Sequence, residues 1–150
     1  MNLIELPGGD MFASGASALV NPVNTEGVMG KGLALEFKRR FPEAAEEYVK
    51  ACKEKRLEVG NVLLCDKQSP AIIHFPTKIK WRNPSKLHYI DSTLVMLWSI
   101  LQSGDYPSVA IPALGCGLGG LPWSEVRSLI IGYLEKLDIT VHLYPPRESE

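Results

Sequence analysis

Ile111-Pro112-Ala113-Leu114-Gly115-Cys116-Gly117-Leu118-Gly119-Gly120 is an apolar run that breaks into a glycine loop. The run starts at Val109, the glycines stand at 115, 117, 119 and 120, and a helical pattern opens at Pro122. Glycine lets the backbone adopt positive φ and approach a ligand closely. Successive N–H groups beside a helix start form a nest for an anion. The loop therefore reads either as a phosphate or pyrophosphate cradle or as a plain turn. A second stretch favours the cradle. Ser17-Ala18-Leu19-Val20 reads as a buried strand ended by Asn21-Pro22-Val23-Asn24, and Gly27-Val28-Met29-Gly30-Lys31-Gly32 then runs into the helical Leu33-Ala34-Leu35-Glu36-Phe37-Lys38. Two strand–glycine loop–helix units suit an α/β sheet with a ligand crevice above its carboxyl edge. Gly115 to Gly120 spells G-x-G-x-G-G with no acidic strand end about twenty residues on, so the dinucleotide fingerprint is not met; nor is there a P-loop sequence.

A chain of 150 residues suits one domain with a real core. No apolar run approaches the ~20 residues of a membrane span. The start Met1-Asn2-Leu3-Ile4-Glu5 lacks the basic flank and apolar core of a secretory leader. Cys52, Cys65 and Cys116 are odd in number and lack metal-like spacing, which points to a reducing, cytoplasmic setting with no bound metal or cofactor. At a net charge of −1 any nucleic-acid contact must come from a local patch. A monomer is expected. Residues 1–144 read as the domain, and 145–150 (Pro145-Pro146-Arg147-Glu148-Ser149-Glu150) as a polar tail, either a natural end or the start of a linker to an absent C-terminal domain.

The remaining pattern predicts about six strands and four helices. Strands are expected at 2–6, 17–21, 61–65, 71–75, 108–112 and 139–144, the third and fourth as a hairpin. Helices are expected at 30–41, 42–55, 84–103 and 122–137. The third would be capped by Asn83, opened by Pro84 and closed by Gly104, with Ile90, Leu94, Leu97, Trp98 and Leu101 on its buried face. This order predicts a three-layer α/β/α fold around a mixed sheet.

Asn21-Pro22-Val23-Asn24, Gly27 to Gly32 and Gly115-Cys116-Gly117-Leu118-Gly119, in this order, together resemble a macro domain, a family that binds ADP-ribose. Gly9-Asp10-Met11 resembles that family's Gly-Asp-Ile after the first strand. Gly30-Lys31-Gly32-Leu33-Ala34-Leu35-Glu36-Phe37-Lys38 with Phe41-Pro42, and His74-Phe75-Pro76-Thr77-Lys78, resemble its branch of terminal ADP-ribose glycohydrolases. Phe75 to Ser85 looks most like the DarG group within it, antitoxins that remove ADP-ribose from thymidine in DNA.

The resemblance implies that the Asp10 carboxylate accepts from the adenine amino group, beside Met11; a turn or capping aspartate is the plain alternative. It implies that Asn21 and Asn24 line the distal ribose, Asn24 bonding a hydroxyl. Val28, Met29, Gly30, Gly32 and Leu33 would wall the ribose and diphosphate. Leu114, Gly115, Cys116, Gly117, Leu118 and Gly119 would offer N–H groups to the diphosphate, with Cys116 as wall rather than nucleophile. Tyr144 would stack on adenine or simply pack. Lys31 reads as a solvated loop lysine, and His74 and His88 as structural or surface residues.

Thr77-Lys78 matches the lysine this branch uses on the distal ribose, which makes Lys78 the catalytic candidate. A neutral amine can attack C1″, provided burial or neighbouring cations depress its pKa; a protonated one can act electrostatically. Lys80 and Arg82 could be those cations. Lys80, two residues on along a strand, would share the face of Lys78 and is the second candidate. Between Pro76 and His88 stand Lys78, Lys80, Arg82 and Lys86 around Trp81 with no acidic residue, which suits single-stranded DNA through Lys80, Trp81 and Arg82, or a solvated basic edge.

Relatives that act on proteins carry an aspartate where this chain has Gly119, so ester cleavage by a lysine–aspartate pair is not expected. The resemblance thus implies a hydrolase that removes ADP-ribose from thymidine bases in single-stranded DNA, a DNA-repair step paired with a cognate DNA ADP-ribosyltransferase toxin. Hydrolysis of protein-linked esters or of ADP-ribose 1″-phosphate, and a non-catalytic ADP-ribose reader, are the alternatives.

Overall fold

Alternation along the strands sorts the apolar side chains into two cores on opposite faces of one sheet. A computed structural model describes residues 1–146. It contains β1 (Asn2–Glu5), β2 (Ala18–Asn24), α1 (Gly32–Arg40), α2 (Pro42–Lys53), β3 (Leu63–Cys65), β4 (Ala71–Lys78), α3 (Leu87–Leu101), β5 (Ser108–Pro112), α4 (Trp123–Leu134) and β6 (Thr140–Tyr144). Short 3-10 turns lie at Met11–Ala13 and Gly117–Gly119. The sheet order is β1-β6-β5-β2-β4-β3. Only β3 runs antiparallel, as the expected hairpin with β4. Ala18, Val20, Ile73, Phe75, Val109 and Ile111 face α3 and α4, and Leu19, Ile72 and Ala110 face α1 and α2. The three-layer mixed fold is as the sequence predicts.

Of the boundaries that differ, three bear on the site. β2 continues through Pro22 to Asn24, where the sequence pattern ends it at Asn21. Proline is excluded from central strands, but β5 pairs with β2 only at Ala18 and Leu19, so beyond them β2 is an edge on that side. β4 likewise passes Pro76 to end at Lys78, with a register shift opposite Val23 and Asn24. α3 begins at Leu87, not Pro84. The Ser85 N–H bonds the Gly119 carbonyl at 2.9 Å and the Asn83 N–H bonds the Lys80 carbonyl at 3.0 Å, which holds this segment as a turn. Trp98 is 40 % exposed, one position round from the complete stripe Ile90, Leu94, Leu97 and Leu101.

His74 is structural, as expected. It is buried on β4, with Nε2 3.0 Å from the Ala44 carbonyl and Nδ1 3.2 Å from Asn21 Nδ2. The neutral ring satisfies both contacts, donating from Nε2 and accepting at Nδ1. Burial lowers its pKa to about 4. The unfolded chain, with histidine near 6.5, binds the extra proton first as pH falls. Stability is therefore full above about pH 6.5 and declines toward pH 4, by about 3 kcal/mol in all. Urea unfolding at pH 7 and pH 5 should show this slope in the wild type, and a His74→Gln variant should flatten it; parallel slopes in both would assign the loss to other groups.

Candidate active site

The divergence of β2 from β5 opens a crevice at the carboxyl edge, between the strands where the chain's winding reverses. A cleft of about 960 Å³ lies there, floored by the ends of β2, β4, β5 and β6 and walled by both glycine loops. That is the upper range of small-ligand sites and has room for an elongated dinucleotide-like molecule.

Most of the expected residues meet in it. Asp10, Met11, Asn24, Val28, Gly30, Gly32, Leu33, Gly115, Cys116, Leu118, Gly119 and Tyr144 line it, together with Lys78 at the end of β4 and Trp81 on the loop after that strand. Gly115, Gly117 and Gly120 adopt φ of +73°, +63° and +81°, the backbone freedom the glycine pattern predicted.

Other expected residues do not line the cleft. Asn21 is fully buried against His74, because strand alternation turns it toward α2. Met29 is buried in the core with Phe37 and Tyr48, and Leu114 in the core with Ile90 and Val126. Gly117 supplies a turn of the second glycine loop without reaching the cleft wall. Lys80 is a correction of a different kind. β4 ends at Lys78 and residues 79–80 form a bend, so the two lysines share no strand face; Lys80 is exposed and outside the cleft. Arg82 is also outside, its guanidinium 5.0 Å from the Trp81 ring.

The sequence reading missed several cleft residues. Lys31 is one, its Nζ 5.9 Å from the Trp81 ring centroid. Ser85 is another, and Pro145 and Pro146 line the cleft past the expected domain end at 144; residues 147–150 of the expected tail lie outside the described residues. Proximity of Lys31 to Trp81, or of Ser85 to Gly119, joins distant segments and leaves no local sequence signal.

The side chains differ in what they have left to offer. Asp10 caps the 3-10 turn, Oδ1 accepting from the Phe12 N–H at 3.0 Å, and it also lines the cleft. Tyr144 is buried and lines the cleft beside Gly9, where a Cβ would stand 3.0 Å from its ring. Asn24 organises its own loop. Its Oδ1 accepts from the N–H groups of Glu26, Gly27 and Val28 at 3.0, 3.1 and 3.3 Å, and its Nδ2 donates to the Val28 carbonyl at 2.9 Å. One amide hydrogen remains for a ligand.

Lys78 is half-buried at the end of β4, and its Nζ donates to the Trp81 carbonyl at 3.1 Å. Burial alone holds its pKa below the usual lysine range; the neighbouring cations invoked from the sequence are not among the causes. Lys80 and Arg82 project from an exposed bend instead. The Lys78 loop is pinned from the other side, the Trp81 N–H bonding Glu26 Oε1 at 2.8 Å and the Thr25 N–H bonding the Ile79 carbonyl at 3.1 Å. Among the described residues no three His, Cys, Asp or Glu side chains group as metal ligands, and no helix is long and apolar enough to cross a membrane.

A family model described as Macro domain matches residues 20–130. The DNA ADP-ribosyl glycohydrolase of Mycobacterium tuberculosis is 44% identical over 149 residues, covering 96% of this chain and 42% of that protein. A DNA ADP-ribosyl transferase–DNA ADP-ribosyl glycohydrolase fusion protein of Thermosipho africanus is 40% identical over 168 residues, covering 99% of this chain and 42% of the fusion. The chain thus spans less than half the length of these relatives. The solved macrodomain of Mycobacterium tuberculosis DarG superposes with a TM-score of 0.91 at 41% identity, covering 96% of this chain and 97% of that one. With a matching family model over most of its length and this superposition, the chain belongs to the macro domain family.

Proposed function

We propose that this chain is an ADP-ribosyl glycohydrolase that removes ADP-ribose from thymidine bases in single-stranded DNA, as antitoxin to a DNA ADP-ribosyltransferase. The observation that carries the reading is the placement of one partly desolvated lysine amine, Lys78, in the same cleft as two glycine loops suited to a diphosphate. The names of relatives at 40–44% identity, one fused to a DNA ADP-ribosyl transferase, support the linkage and the partner.

The chemistry follows from the groups present. The loops at 28–33 and 113–119 hold the diphosphate by backbone N–H groups, and the Asp10 end receives the adenine. The distal ribose then lies toward Lys78. Its neutral amine attacks C1″, the bond from C1″ to the base nitrogen breaks, and the amine proton passes to the departing base. Water next adds to C1″, the carbon–lysine bond breaks, and the amine regains its proton. ADP-ribose and unmodified DNA leave, and no external cofactor enters the balance.

Wild-type protein should release unmodified oligonucleotide from single-stranded DNA carrying ADP-ribosylated thymidine. No release, with ADP-ribose still bound, would leave a reader or an enzyme for another linkage. Trp81, 40 % exposed at the rim and flanked by the Lys31 and Arg82 cations, supplies a stacking surface for a base. Trp81→Ala should raise KM for the DNA substrate about tenfold, within the ~1–3 kcal/mol of a base–aromatic stack, while calorimetric affinity for ADP-ribose alone changes little. Equal losses for both ligands would place Trp81 in the ADP-ribose site rather than on the DNA path.

A further inference from the structure

We propose that Ser85 is a substrate-binding residue whose hydroxyl is held in reserve beneath the second glycine loop and turns to donate a hydrogen bond to bound ADP-ribose. The proposal rests on the function given above. Ser85 lines the cleft but is only 6 % exposed, and its Oγ is buried with no hydrogen-bond partner. A buried hydroxyl without a partner is destabilising, so such a group needs a reason to be there.

The neighbouring loop is built around it. A Cβ at Gly119 would stand 2.6 Å from Ser85 Oγ and 3.1 Å from its Cβ, so no side chain fits at 119 while the hydroxyl is in place. Gly119 has no positive φ that would by itself call for glycine; the serine does. A Cβ at Gly115 would stand 3.2 Å from Ser85 Cβ. The Ser85 N–H is fixed to the Gly119 carbonyl, so the residue is tied to the loop that faces the cleft. A change of χ1 breaks no hydrogen bond of the hydroxyl, and three staggered positions are open to such a side chain in principle. A ligand oxygen beside Gly115 and Gly119 offers the acceptor that no neighbouring protein group supplies.

The test pairs calorimetric titration with ADP-ribose and thermal melting of the unliganded protein, for wild type, Ser85→Ala and Ser85→Cys under reductant. The expected result is about tenfold weaker binding for both variants, one hydrogen bond's worth, with melting temperatures equal to or above wild type. The cysteine fills the space but is a poor donor, so its loss identifies the hydrogen bond rather than the volume. Wild-type affinity in Ser85→Ala, wild-type affinity in Ser85→Cys, or a lowered melting temperature accompanying weaker binding would each overturn the proposal. A wild-type protein that takes up no ADP-ribose would overturn this proposal and the function together, whereas uptake of ADP-ribose without release of unmodified DNA would overturn the function alone.

Discussion

Lys78→Ala is expected to lower release of unmodified DNA by a factor on the order of a thousand or more while binding ADP-ribose about as tightly as the wild type. The interaction removed is one made in the transition state, so the loss should fall on kcat and kcat/KM together. The fold should survive, because Lys78 is the last residue of β4 and its Nζ meets only a backbone carbonyl. The pH profile adds a sign. Burial holds the Lys78 pKa below its ordinary value, and the attacking form is the neutral amine. Activity should therefore rise with pH along a limb that lies below the ordinary lysine range. Opening of the C1″–O4″ bond in the lysine adduct gives an iminium, so an adduct trapped by borohydride in the wild type and absent from the alanine variant would identify attack by the amine. A rate in Lys78→Arg close to wild type would instead assign the residue an electrostatic role. Equal turnover by wild type and Lys78→Ala would move catalysis to another group, and exposed Lys80 has no place in the cleft from which to take it over.

The features legible in the sequence were those with local causes. Positive φ at Gly115, Gly117 and Gly120 follows from the glycine spacing, and two strand–loop–helix units imply a crevice. The element order and the hairpin of β3 with β4 came through for the same reason. What did not come through depends on non-local pairing. Pro22 and Pro76 end strands by any local rule, yet both are tolerated here, Pro22 where β5 has left β2. Extending those strands turns Asn21 into the core and brings Asn24 and Lys78 into register at the cleft edge. Ser85 lies before α3 because of a bond to Gly119, thirty-four residues away in sequence, which no capping rule contains. Asn83-Pro84 was a sound local signal for a helix start and lost to that tertiary contact.

Asn24→Ala is the change expected to disturb most of the site at once. The Asn24 side chain satisfies three successive N–H groups and one carbonyl of its own loop, and the Tyr48 hydroxyl lies 2.7 Å from its carbonyl and 3.0 Å from its Oδ1. Truncation leaves several of these groups partly buried without partners, at a cost of about 2–4 kcal/mol. For a chain of this size that lowers the melting temperature by roughly 5–15 °C. The damage should reach chemistry as well as stability. Asn24 is the register partner of Lys78, and the Glu26 carboxylate, in the same loop, accepts from the N–H of Trp81, whose own carbonyl accepts from the lysine amine. Weaker ADP-ribose binding and a lower kcat should therefore appear together, unlike the kcat loss alone expected for Lys78→Ala. Asn24→Asp separates the two ends of the amide. It keeps the acceptor for the three N–H groups, loses both amide hydrogens and sets a carboxylate oxygen against the Val28 carbonyl, so it should melt between wild type and Asn24→Ala. If aspartate and alanine fall equally, the Nδ2 bond to Val28 holds the loop. If Asn24→Ala melts and turns over like the wild type, the loop is held by its other ties to β4, and the ordering of the cleft assigned here to Asn24 is wrong.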